Sequence, residues 1–260
     1  MNKISFIGGG VMGEAMVSAI LDAKVSTPRS ITVSDASQQR RDVLSNTYRV
    51  KTTDDNGVAV FGADAIVLAV KPQNLKAVMA ELQGKVRPAQ LVVSIVAGAK
   101  IGDITEGLKH GAVVRAMPNM PAQVRRGMTV WTASPDTGDQ QKTLARTILG
   151  ALGKEIWVGE EKYVDMATAV SGSGPAFVFL IIEALTDAAV HIGFPRNVAE
   201  QLVLETVAGS TYAVEAMRKH PAELKNMVTS PGGTTAEALL VLEKGGLRAL
   251  LTSAVISAYE

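Results

Sequence analysis

From Lys3 to about Gly159 the chain alternates short β-rich runs with longer segments of helical period, and this alternation limits the fold more than any other feature. The runs are KISFIG, SITVSD, YRVKT, AIVLAVKP, QLVVSIVAG, AVVRAMP, GMTVWTA and EIWVG. Strand followed by helix followed by strand predicts βαβ units and a mostly parallel sheet. AIVLAV and LVVSIV are apolar on both faces, as strands must be when helices cover a sheet on both sides. After Glu160 the strand signals stop, and the rest reads as helices broken at SGSGP, GFP, HP and SPGG. The expected class is therefore α/β: a doubly wound parallel sheet in residues 1–160, followed by an all-α domain in residues 161–260. The helix near Pro175 is apolar almost all round, through Phe177, Val178, Phe179, Leu180, Ile181, Ile182 and Leu185, which predicts burial on every side. A domain of about 100 residues struggles to bury so much alone, which favours packing against a second copy.

The first strand runs straight into Gly8-x-Gly10-x-x-Gly13, ahead of a helix with Ala15 and Ala19 near its start. Such glycines permit a tight turn, close approach of a pyrophosphate to N–H groups at the helix tip, and close packing of helix on strand. A second strand, ITVSD, ends in Asp35, in keeping with a Rossmann-type dinucleotide domain. Asp35 would ordinarily accept the ribose hydroxyls of NAD and repel the 2′-phosphate of NADP. Ser34, Ser37, Arg40 and Arg41 pull the other way, offering hydroxyls and guanidinium groups to that phosphate if Asp35 points aside. A solvated helix face is the alternative for the two arginines.

Composition narrows the partners. With 26 basic and 25 acidic residues the net charge is +1, and no long block of like charge occurs, so the footprint of nucleic-acid binding is missing and a small-molecule substrate is expected. The absence of cysteine removes thiol nucleophiles and thiolate metal sites, and His110, His191 and His220 are dispersed, so no metal is expected. The glycine-broken first run is wrong for a signal peptide, and AFVFLII falls short of the ~20 residues a bilayer needs. A cytoplasmic enzyme with no membrane span is the expectation.

Four further motifs are read together: AVKP (Ala69 to Pro72) at the carboxyl end of a central strand, RAMPNMP (Arg115 to Pro121) around Asn119, SGSGPA (Ser171 to Ala176), and KNMVTSPGGTTAEAL (Lys225 to Leu239). In this order and spacing the set resembles the pyrroline-5-carboxylate reductase family, enzymes of the last step of proline biosynthesis, over essentially the whole chain. SPGGTT with SGSGPA upstream is the most specific element. The resemblance implies an oxidoreductase with a Rossmann domain and a helical dimerisation domain that interlocks with its partner, a homo-oligomer often built up to a decamer. It implies dinucleotide contacts at Ile7, Gly8, Gly10, Val11, Met12 and Gly13, with Ser34, Asp35, Asn56, Ala69, Val70, Lys71, Pro72 and Ala97 completing the pocket. The cofactor would be NADP, with NADPH favoured and NAD possible. The substrate, 1-pyrroline-5-carboxylate, would meet Glu161, Gly232, Gly233, Thr234 and Thr235. Val11 and Met120 depart from the Asn and Thr common in the family, and the chain stops at Glu260, earlier than many relatives, so a short last helix is expected.

Thr234-x-x-Glu237 has the form of a capping box ahead of an apolar helix that ends at Gly245-Gly246. Such a cap occupies Glu237 and leaves N–H groups of the Gly232 to Thr234 region facing outward, an arrangement suited to a carboxylate. The Thr235 hydroxyl, donor and acceptor both, suits the ring nitrogen of an imine that can arrive already protonated. Lys71 is either a second catalytic group beside the nicotinamide or a solvated lysine. Asn119 is a substrate-side amide or a turn former, with a positioning role favoured. Two other readings stand beside the reductase: a β-hydroxyacid dehydrogenase, which needs a lysine base after SGSGP where this chain has Ile181, Ile182 and Glu183, and a catalytically inactive dinucleotide-binding protein.

Overall fold

A computed structural model describes residues 2–260. The chain divides into two compact units, the first ending at Ser173 and the second spanning Gly174–Glu260. In the first unit β1 (Ile4–Ile7), β2 (Ile31–Ser34), β3 (Lys51–Thr53), β4 (Ala65–Leu68), β5 (Leu91–Ser94), β6 (Val113–Met117), β7 (Gly127–Ala133) and β8 (Gly153–Trp157) form one sheet in the order 3-2-1-4-5-6-7-8. Every expected run supplies a strand. All pairings are parallel except β6 with β7. Only a short loop with one 3-10 turn, Met120–Val124, joins those two, too short for the crossover that a parallel pair demands.

Helices α1 (Val11–Asp22), α2 (Gln38–Tyr48), α3 (Asn56–Val60), α4 (Pro72–Leu82), α5 (Ile101–Leu108) and α6 (Asp139–Gly150) cover both faces. The alternation within β4 shows how. Ala65 and Val67 join a core with Met16, Ile20, Leu44, Trp131 and Ile148, whereas Ile66 and Leu68 join a core with Leu75, Leu82, Ile104 and Leu108. Each fully buried aliphatic side chain contributes about 1.5–3 kcal/mol. The order of strands reverses direction between β1 and β4, which opens a crevice at their carboxyl ends, the place where doubly wound sheets bind ligands.

By its contacts the compact first unit extends to Ser173, because α7 (Lys162–Ala167) lies against β6 and β7. Three expectations change. SGSGP does not break the chain: Thr168–Gly172 forms a π-helical turn, with Ser173 N–H donating to Thr168 O at 2.9 Å, and a bend at Ser173 leads into α8 (Gly174–His191). Small residues tolerate the wide turn, Thr168 and Ser171 hydroxyls bond back to Val164 and Ala167 carbonyls, and Pro175 sits in the first turn of α8, where its missing N–H is harmless. As a result Lys162–His191 is long and apolar enough to cross a bilayer, with a stretch of 18 residues whose mean hydropathy is 1.5, which AFVFLII alone did not foretell.

The second change concerns burial. In the second unit α8 lies along α9 (Arg196–Met217), and α10 (Pro221–Met227), α11 (Thr234–Lys244) and α12 (Leu247–Tyr259) follow. Helix α8 is not buried on every side within the single chain: Phe179 is 49% and Leu180 64% exposed, and only Thr186 is buried. The last helix is not short, running 13 residues to Tyr259.

Candidate active site

Three glycines shape the crevice for three different reasons. Gly8 has φ +103°, and a β-carbon there would lie 2.6 Å from Ala69 O on the neighbouring strand end. At Gly13 a β-carbon would lie 2.4 Å from Gly8 O, so helix α1 sits close on the turn only because nothing projects. Around Gly10, the N-cap of α1, a β-carbon would meet nothing within 4 Å. That emptiness faces the tip of α1, where the N–H groups of Val11, Met12 and Gly13 have no partner among the described residues. Unpartnered amides plus the positive end of the helix dipole suit a pyrophosphate. The residues present therefore fit a dinucleotide.

The crevice has a volume of about 550 Å³ and is lined by Ile7, Gly8, Gly10, Ala69, Val70 and Lys71 and, at its far end, by Ser34, Asp35, Asn56 and Glu81. A second hollow of about 240 Å³ lies between Met12, Ala69, Val70, Pro72, Ala97 and Met117. Pro72 opens α4 at its first position, and Lys71, its N-cap, is exposed, its ammonium group without a hydrogen-bond partner among the described residues. Of the positions expected from sequence, Ile7, Gly8, Gly10, Ser34, Asp35, Asn56, Ala69, Val70 and Lys71 line the crevice and Met12, Pro72 and Ala97 the second hollow, while Val11 and Gly13 line neither and lie in the first turn of α1.

Asp35 is turned toward the backbone. Its carboxylate accepts from Gly9 N–H and from Ser37 N–H, each at 2.8 Å, and so pins the glycine turn to the start of α2. The arginines are occupied as well. Arg40 donates to Gly9 O at 2.9 Å and to Glu14 Oε2 at 2.6 Å, while Arg41 donates to Asp35 O at 2.6 Å. Neither arginine lines the crevice. Both brace it from behind, a third possibility that a helix-face reading omits.

Asn119 also braces. Its Nδ2 donates to Ser171 O at 3.0 Å, and its Oδ1 accepts from Met128 N–H at 2.9 Å. Ser171 O is the carbonyl that the N–H of residue 175 would take in a regular helix, and residue 175 is proline. Asn119 supplies the donor that proline lacks. Glu161 accepts from Ile101 N–H and from Arg115, both at 2.8 Å. Arg115 is only 3% exposed and also donates to Asp165 at 2.6 Å, where Lys100 makes a third contact. Burial pushes the Asp165 carboxyl up, but hydrogen bonds from Lys100 and Arg115 outweigh it and hold the group below the usual carboxylate range.

The capping box does not form. Gly233, not Thr234, is the N-cap of α11, with no side-chain cap bond, and Thr234 and Thr235 are the first helical residues. The turn before it is closed instead by Gly233 N–H donating to Ser230 O at 3.0 Å, with Gly232 at φ +69°. A glycine cap is nearly as good as a hydroxyl one, so the box is not needed. Glu237 is then not tied down. The N–H groups of Gly232, Thr234 and Thr235 have no partner among the described residues, nor has the Thr235 hydroxyl, which is half-buried.

Residues 161–260 match the family model for pyrroline-5-carboxylate reductase dimerisation, and residues 3–98 match the model for coenzyme F420-dependent NADP oxidoreductases. A pyrroline-5-carboxylate reductase from Synechocystis sp. is 43% identical over 258 residues, 99% of this chain and 96% of the relative. The chain belongs to the pyrroline-5-carboxylate reductase family. The structure of such a reductase from Coxiella burnetii shares 38% identity and superposes with a TM-score of 0.91 over 99% of this chain and 96% of that one. The Plasmodium falciparum enzyme with NADP bound, 30% identical, gives 0.91 over 99% and 95%. The stretch that matches the dimerisation model includes α8 with its apolar surface. What sequence reasoning missed in this family member is the knot of Arg115, Asp165 and Lys100. A charged residue inside the apolar strand VVRAM was the available signal for Arg115, since such a charge must find partners.

Proposed function

We propose that this chain reduces the C=N bond of 1-pyrroline-5-carboxylate to give L-proline, the last step of proline biosynthesis, as a cytoplasmic homodimer formed through its helical unit and extendable to a decamer. NADPH is the favoured reductant, with NADH also accepted. A bound dihydronicotinamide supplies the hydride. The amides at the tip of α1 hold the pyrophosphate, and the hollow of Met12, Ala69, Val70, Pro72 and Ala97 keeps water from the reacting ring. Lys71, unpartnered at the mouth of the crevice, orients the cofactor's amide or phosphate.

The observation that carries the reading is the row of unpartnered N–H groups at Gly232, Thr234 and Thr235 opening α11, which suits the substrate carboxylate. Binding the acid group there presents the ring nitrogen to the Thr235 hydroxyl. Threonine is too weak an acid to hold the proton, so its contribution is alignment, and the iminium arrives protonated or takes its proton from water. Asn119 and Glu161 act as positioning residues through their bonds to Ser171 and Ile101.

The test is loss of reduced-nicotinamide absorbance with pyrroline-5-carboxylate as substrate, run beside a panel of β-hydroxy acids with the oxidised cofactor. Turnover of the imine alone supports the reading. Turnover of a hydroxy acid instead would move the chain to the rival dehydrogenase class, and binding of dinucleotide without turnover of either would make it a cofactor-binding protein.

A further inference from the structure

The far end of the cofactor crevice carries a short relay that no part of the proposed reaction uses. Ser34 Oγ donates to Asn56 Oδ1 at 2.7 Å, and Asn56 Nδ2 donates to Glu81 Oε2 at 2.7 Å. All three residues line the crevice together with Asp35. The elements explain the meeting. Ser34 ends β2, Asn56 opens α3, and Glu81 lies in the last turn of α4, with no basic residue in that turn to neutralise it.

The one hydroxyl donor of Ser34 is thereby committed to Asn56, and one of the two amide hydrogens of Asn56 to the carboxylate of Glu81. The charged side chains lining the crevice are Asp35, Lys71 and Glu81, so acid outnumbers base. Arg40 and Arg41, the cations nearest in sequence, face away on the bonds already described. An anionic group beyond the ribose that takes the remaining Asn56 N–H must therefore sit near the negative charge of Glu81. A free ribose hydroxyl, by contrast, is a donor that a carboxylate accepts.

Resting on the reading of this crevice as a dinucleotide site, we propose that Glu81 is a specificity-determining residue: its carboxylate, held by Asn56, discriminates against a 2′-phosphate and keeps NADH usable beside NADPH. Glu81→Gln removes the charge while leaving an oxygen to accept from Asn56, so the shape of the relay is retained. An exposed like charge within several ångströms is worth about a five- to tenfold change in affinity. The variant should tighten NADPH by about that factor, leave NADH within about twofold, and show a smaller gain at high salt.

The measurement is a pair of fluorescence titrations, NADPH and NADH, on wild type and Glu81→Gln, with circular dichroism to verify the fold. An unchanged ratio of the two dissociation constants overturns the proposal. So does a weakened NADPH, which would mean that Glu81 aims Asn56 toward the phosphate. Failure of wild type to bind either dinucleotide overturns this proposal together with the cofactor reading. A shifted ratio in a protein that fails to reduce pyrroline-5-carboxylate upholds the proposal and sinks only the proposed reaction.

Discussion

Gly8 and Gly10 stand two positions apart and answer to opposite constraints. Alanine at residue 8 must adopt φ +103° and push against Ala69 O, a backbone atom with nowhere to move. The cost is about 1–3 kcal/mol of strain, and Gly8→Ala should lower the melting temperature and impair folding of the first unit. Alanine at residue 10 meets open space, so Gly10→Ala should melt like wild type yet bind dinucleotide at least about tenfold more weakly, because its methyl takes the room of the pyrophosphate. Calorimetry and cofactor titration on the pair separate the two demands, and equal melting temperatures for both variants would refute the distinction. On the other unit, Thr235→Ala should reduce kcat by on the order of 100-fold with dinucleotide affinity nearly intact, and Thr235→Ser should keep the rate within about tenfold of wild type. Equal loss of rate and cofactor binding would mean that the turn from Ser230 to Gly233 had collapsed instead.

Among the elements, α7 depends on charges that its own sequence does not announce. Arg115 on β6 and Asp165 on α7 are joined across 50 positions, and nothing in the local period of either segment marks them as partners. The inner strands β1, β4 and β5 were legible because burial on both faces writes itself into each one separately, whereas β3 and β8 are only partly buried. Long-range pairing, the glycine cap of α11 and the π turn at SGSGP were not, since each is decided by where another backbone lies. Thr234-x-x-Glu237 has the letters of a capping box, but Gly233 satisfies the geometry first. SGSGP has the letters of a break, but Asn119 replaces the donor that Pro175 lacks. The Asp165 contacts also give a signed dependence on acidity. Because its folded pKa is lowered, the stability it contributes is fully present above its unfolded value of about 3.9 and is lost as pH falls through the folded value. Asp165→Asn should therefore lower the melting temperature at neutral pH, with the gap from wild type closing below about pH 4. A gap that stays constant across that range would assign the loss to packing alone.

For the molecule as a whole, hydrophobic pattern predicted an α8 buried on every side, and within one chain it is not. An apolar helix surface does not record whether its cover comes from the same polypeptide or another. Leu180, 64% exposed, tests this: Leu180→Glu removes about 1.5–3 kcal/mol of burial per copy and adds a desolvated charge, so it should shift light-scattering mass from oligomer to monomer or aggregate. A variant that keeps the wild-type mass would place the contact on another face. In the second unit only Thr186, Ala199 and Val203 fall in the buried class, too few to hold five helices together unaided. With this unit paired as proposed, its midpoint of thermal unfolding should climb with protein concentration. Dilution is then a denaturant for this part of the polypeptide, acting with no change of temperature or solvent.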